Sequence, residues 1–174
     1  MKAMAIGGMA AAAVLMTALP ARAQSDSAVK EVIKQFEKGD PGMQHWFRDA
    51  WGYAVFPSVG KGAFVVGGAH GNGLVYEQGK QIGKTSLTAV TVGAQLGGQA
   101  FREVIFFKDK TALDDFTRGN FEFGGGVSAV ALKKGASADL AYNKGVAVMT
   151  ATKGGLMVEA SVGGQKFTFE RVKN

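Results

Sequence analysis

Apolar residues at Val29, Val32, Ile33 and Phe36 fall at the i, i+3, i+4, i+7 spacing of one helical face. They predict a helix from Asp26 to Lys38, with Asp26 as its cap and Gly39 as its stop. That face has two readings. It packs on the core of the protein, or it meets a membrane as an amphipathic helix whose Lys30, Lys34 and Lys38 line the other faces. A second short helix is expected from Pro41, a residue suited to a first helical turn, through Trp46 and Phe47 to about Ala50.

After Trp51 the period changes to that of strands separated by glycine, beginning with GYAVFP at residues 52–57. AFVVGGAHGNGLVY reads as a hairpin turning at Asn72-Gly73, a dipeptide that accepts the positive φ angles of a tight turn. Alternation in the next run puts Val90, Val92, Ala94 and Leu96 on one face. The unbroken apolar run Val104 to Phe107 predicts a central strand covered on both sides. Asp109 or Thr111 caps a short helix with Leu113 and Phe116 facing inward, ending near Gly119. Phe121, Phe123, Val127 and Ala129 share one side of the following run, a further hairpin is expected to turn near Lys153-Gly154-Gly155, and KFTFERV forms the last strand. The sum is an α+β chain: a mostly antiparallel, strongly curved or barrel-like sheet, with an N-terminal helical segment and a short helix near residues 111–118.

The first 23 residues stand apart from this pattern. Lys2, an apolar stretch from Met4 to Leu19 and the box Ala21-Arg22-Ala23 have the three parts of a secretory leader. Cleavage after Ala23 is expected, leaving one domain over residues 24–174 in the periplasm. Loss of Lys2 and Arg22 lowers the net charge from +6 to +4, a modest excess that favours anionic partners weakly. Nucleic acid is not an expected partner of an exported chain whose lysines are scattered, Lys133-Lys134 being the adjacent pair. With no cysteine, neither a disulfide nor a thiolate metal site is available, so stability must come from packing.

Candidate chemistry adds little. His45 and His70 belong to no metal-ligand spacing, no serine sits in a nucleophile elbow, and the glycines fit no nucleotide-loop pattern. No catalytic residue, metal or cofactor is expected, and the chain is read as a non-enzyme. Gly93, Gly97, Gly98, Gly124, Gly125 and Gly126 are read first as residues that shape the sheet, through bulges, curvature or close backbone approach.

The segments GYAVFP, GKGAFVVGG, GAQLGGQAFREVIFF, FEFGGGVSA and TKGGLMVEASVGGQ follow one another in an order and spacing that resemble the SYLF lipid-binding domain family. The resemblance covers about Asp26 to Arg171. It implies an antiparallel β-rich domain that binds membrane lipids, phosphoinositides being the ligands of eukaryotic members, while some fungal relatives also bind actin filaments. Eukaryotic members usually join the domain to other modules; this chain is read as an exported domain standing alone. An envelope protein meets phosphatidylglycerol, cardiolipin or fatty acids rather than actin.

Lipid recognition needs cations for the headgroup and apolar surface for the chains. Candidate cations are Lys61, Lys133, Lys134 and Lys153, and the candidate apolar surface is the Val29, Val32, Ile33, Phe36 face. The leading expectation is a periplasmic module that associates peripherally with anionic phospholipid or fatty acid. A structural or protein-interaction module of the envelope is the alternative, and a small outer-membrane β-barrel a third.

Overall fold

The computed structural model describes residues 21–60, 68–90, 100–152 and 160–173. Helix α1 (Ala21–Gly39) and helix α2 (Met43–Asp49) precede four strands, β1 (Gly52–Gly60), β2 (Gly68–Glu77), β3 (Lys80–Val90) and β4 (Phe101–Phe107). Helix α3 (Lys110–Thr117) leads to β5 (Phe121–Glu122) and β6 (Ser128–Ala131). A 3-10 turn at Ala136–Ala138 precedes β7 (Val146–Thr152), β8 (Ala160–Ser161) and β9 (Lys166–Arg171).

The described strands form one sheet in the order β5-β9-β3-β2-β1-β4-β7-β6-β8. All pairs are antiparallel except β6 with β7. The two ends of that order meet. Phe121 pairs with Phe167 and Ala129 with Ala160, and between these pairs the Phe123 amide bonds the Gln165 carbonyl (3.0 Å), the Gly164 amide bonds Phe123 (2.9 Å) and the Val162 amide bonds Val127 (3.2 Å). β5 and β6 therefore run as one interrupted strand against β8 and β9, and the sheet curls round into a barrel. Closure satisfies edge amides that would otherwise stand open.

Alternate residues of the longer strands face a core inside the barrel. Phe56, Val75, Leu87, Ile105, Phe107, Phe123, Val148 and Phe167 are buried there. Helix α3 covers one end: its Phe116 ring lies 4.9 Å from Phe107 and 5.2 Å from Phe167, centroid to centroid. Its start follows the expected chemistry, with the Asp109 carboxylate accepting the Ala112 amide at 2.9 Å. The opposite residues of the strands, among them Val55, Leu74, Val104, Phe106 and Met149, form a second core beneath α1 and α2. β4 lies between β1 and β7 and contributes to both cores, as a strand covered on both sides should.

The corner between the helices is pinned by Asp40. Its carboxylate accepts the Gly42 amide at 3.1 Å and the Ser137 amide at 2.6 Å, tying the helices to the 3-10 turn. Burial works to raise this carboxyl, but the bonds from Ser137, Gly42 and Gly135 outweigh it and hold it below its usual value.

Three local expectations are corrected. Helix α1 begins by Ala21, so Asp26 lies inside it rather than capping it. Asn72-Gly73 is no turn: both residues lie within β2, paired to Ser58 of β1 and to Ser86 and Thr85 of β3. The β2–β3 turn is made instead by Gln78 and Gly79, at φ angles of 49° and 78°. Nor are β7 and β8 a hairpin, since β6 lies between them.

Glycine shapes the barrel at Gly73. A Cβ on Gly73 would stand 2.5 Å from the Val55 carbonyl oxygen and 2.8 Å from the Phe56 ring. Gly124, Gly125 and Gly126 lie instead at the exposed interruption between β5 and β6, where a Cβ would meet nothing within 4 Å, and only Gly126 needs glycine for its φ of 89°. Gly93, Gly97 and Gly98, like Val92, Ala94, Leu96 and the 153–155 turn, lie outside the described residues. Gly73→Val should therefore destabilise the fold by about 1–3 kcal/mol, the range for overpacking. Gly125→Ala should leave the thermal midpoint nearly unchanged; equal midpoints for both variants would refute this assignment.

Candidate functional site

Of the residues that lipid recognition was expected to use, the structure describes Lys133, Lys134 and the apolar face of α1. Lys133 and Lys134 are exposed just after β6. Lys61 and Lys153 lie outside the described residues. The apolar helix face is closed to a membrane: Val29, Val32 and Phe36 are 0, 2 and 0% exposed, and Ile33 packs half-buried against the same core. Burial of such side chains contributes about 1.5–3 kcal/mol each, so presenting them to lipid would cost the clasp of α1 on the barrel. His45 is exposed and bonded to Arg48 at 2.6 Å, while His70 is half-buried beside the Thr88 hydroxyl at 3.3 Å. Among the described residues no group of three or more histidine, aspartate or glutamate side chains could hold a metal ion.

Where α1 begins, it stands over the outer faces of β1, β2 and β3 and leaves a cleft of about 530 Å³. Ala28, Val29, Pro57 and Leu74 give this cleft apolar walls. Ser58, Asn72 and Lys84 supply its polar groups. Sheet register brings them together, since Ser58 pairs with Asn72 and Leu74 with Lys84. The register of β1 shifts between Val55 and Ser58, and the irregularity holds Pro57 there. Lys84 is exposed and stands directly opposite Glu170 of β9, though no carboxylate lies within ion-pair distance of it among the described residues. Thr85 lines the cleft from β3, but it shares the interior-facing side of that strand with Leu87 and Ala89, and its buried hydroxyl has no hydrogen-bond partner among the described residues. No sequence periodicity marks this site, because its walls come from a helix and three strands.

The barrel interior holds the other polar feature. Glu103, fully buried, faces inward from β4, and the Gln165 side-chain amide donates to its Oε2 at 2.9 Å. β4 and the β8–β9 strand are not neighbours in the sheet, so this bond crosses the barrel. Thr150, directly opposite Glu103 on β7, is also fully buried. Glu103 Oε1, Gln165 Oε1 and Thr150 Oγ1 have no hydrogen-bond partner among the described residues. Burial pushes the Glu103 carboxyl up to about 7, against the opposing effect of the Gln165 bond.

The barrel's polarity bears on membrane insertion. Its interior is packed with phenylalanine and aliphatic side chains, while Asn72, Lys84, Lys166 and Thr168 are exposed outside. A transmembrane barrel has the reverse arrangement, apolar toward lipid and polar within. No helix among the described residues is long and apolar enough to cross a membrane.

A filled, curled barrel clasped by helices defines a β-barrel-like domain. Residues 88–174 match the family model Ysc84, described as a Las17-binding protein actin regulator. The chain belongs to this Ysc84 or SYLF family. It is also similar to the beta cell expansion factor A of Aeromonas veronii, at 27% identity over 158 residues, covering 89% of this chain and 59% of that relative. The chain thus spans less than two thirds of that relative's length. Among solved structures it is similar to a β-barrel-like, uncharacterised protein from Brucella abortus, with 15% identity, a TM-score of 0.40, and coverage of 86% of this chain and 96% of the other.

Glu103 makes stability pH-dependent. Its carboxyl keeps a proton in the folded state up to about pH 7, whereas the unfolded chain releases it near 4.5. The folded state thus binds more protons between those values. Its stabilisation is complete below the lower value and is lost as pH rises through the upper one, to a total of about 3 kcal/mol. Glu103→Gln cannot ionise and keeps a similar shape, so its thermal midpoint should fall less than the parent's between about pH 5 and 8. Identical pH profiles for the two proteins would sink this assignment.

Proposed function

We propose that this chain is a non-catalytic lipid-binding module that associates peripherally with anionic membrane of the cell envelope. The observation that carries the reading is the exposed Lys133-Lys134 pair on a domain of the SYLF family. Adjacent mobile lysines act as point charges toward phosphate oxygens without needing a pre-formed cavity. In this proposal residues 1–23 direct export and Gln24 becomes the N-terminus, so the ligands are bacterial anionic phospholipids or fatty acids. The description of the family model as a Las17-binding actin regulator favours a second reading, a protein-interaction module. Retention of a specific envelope protein in the absence of lipid would support that reading instead.

Co-sedimentation with vesicles tests the first. Vesicles rich in phosphatidylglycerol should pull down the protein at low salt and much less well above physiological ionic strength, where exposed charges are screened within about 8 Å. Neutral phosphatidylcholine vesicles should retain little. Replacing both Lys133 and Lys134 by glutamine should weaken binding roughly thirty-fold, at about 1 kcal/mol for each contacting lysine. Equal binding to neutral and anionic vesicles, insensitive to salt, would overturn the electrostatic mechanism.

A further inference from the structure

Gln165 belongs to two parts of the structure at once. Its backbone carbonyl accepts the Phe123 amide at 3.0 Å and so helps to close the seam between β5–β6 and β8–β9. Its side chain reaches inward and donates to Glu103 Oε2 at 2.9 Å from across the barrel. The seam itself is thinly paired. β5 and β8 contribute two residues each, against seven each for β4 and β7, and the exposed Gly124, Gly125 and Gly126 interrupt it. A local opening there breaks fewer backbone bonds than one between β4 and β7.

The surroundings of Glu103 hold nothing to balance a charge. Phe56 of β1 and Thr150 of β7 stand directly opposite it in register, and the other buried positions of the interior core are apolar apart from the Thr85 hydroxyl. Arg102, next along β4, alternates to the outer face, as does the exposed Lys166 beside Phe167. Asp40, the one other buried acid among the described residues, sits at the corner of the helices, outside the barrel. An ionised Glu103 therefore calls for water, and the bond to Gln165 sets the carboxyl against the seam.

We propose that the seam is a proton-controlled latch: with Glu103 protonated it stays shut, and with Glu103 ionised the β8–β9 side parts locally from β5–β6 and admits water to the carboxylate. The latch does not depend on the lipid-binding reading. In the closed barrel the carboxyl holds its proton up to about pH 7, and once water reaches it, only to about 4.5. The closed seam is thus fully favoured below the lower value; opening grows as pH rises through the window and levels off above the upper one. Parting of the strands uncovers Phe123 and Phe167, whose rings meet across the seam with centroids 5.0 Å apart.

Hydrogen exchange of the full chain, read by mass spectrometry and corrected for the intrinsic pH dependence of amide exchange, tests the latch. Peptides from the two sides of the seam should exchange well ahead of peptides from β1 and β4. Between pH 5 and 8 their opening constant should rise by up to roughly seventyfold, the change that values of about 4.5 and 7 allow over that range. Glu103→Gln should abolish the rise. Seam and β1–β4 peptides exchanging with one common opening constant would mean that only global unfolding occurs, and the latch fails. It fails equally if the seam opens first but without pH dependence, or if the rise persists in folded Glu103→Gln. Should that variant melt early, the side-chain carboxyl carbon resonance of Glu103 in the parent decides. A titration midpoint near 7, where seam opening levels off, supports the latch, and a midpoint near 4.5 overturns it.

Discussion

The antiparallel ladder that joins β5 and β6 to β8 and β9 is the constraint on which the rest of this structure depends. Without it the sheet would end in two short strands with open amides and a wide apolar face. With it, residues from β1 to β7 and β9 share one interior. A barrel so small must balance large side chains against small ones around its circumference. Phe56 is accommodated because Gly73 offers no Cβ on the neighbouring strand. The Asn-Gly pair that resembles a turn is thus a packing solution. Its necessity arises from a side chain some 17 positions earlier in the sequence.

Closure also accounts for the state of Glu103. A carboxyl facing the interior of an open sheet could reach water, whereas here it meets a glutamine from across the barrel and a threonine from the next strand. Burial without a cation favours the protonated acid, which can supply a hydrogen to one of the acceptor oxygens gathered there. The group couples protonation to the integrity of the barrel rather than to a reaction. It stands apart from the outer cleft, whose cation is exposed.

Helix α1 relates the barrel to its surroundings. Its apolar face is used up in clasping the outer sides of the strands, which removes it as a membrane-facing surface and leaves charge and the cleft for interaction. In the proposed function, the surface lysines attract the domain to an anionic bilayer.

Local sequence by itself determined the elements whose causes are local. The 3.6-residue spacing of Val29, Val32 and Phe36, the Asp109 cap, the apolar run of β4 and the shared face of Phe121, Phe123, Val127 and Ala129 all recur in the fold, because periodicity and capping act within one segment. Lys133 and Lys134 were legible as an exposed pair for the same reason. Only tertiary structure decided whether the α1 face met protein or lipid, since burial depends on what packs opposite. It also inserted β6 between β7 and β8, parallel to the first and antiparallel to the second, and allowed Gln78 to take a positive φ in a turn that lacked the usual first residue. The cleft and the Glu103–Gln165 bond were equally beyond local pattern: each exists because strands and helices far apart in sequence are brought to the same place by closing the sheet.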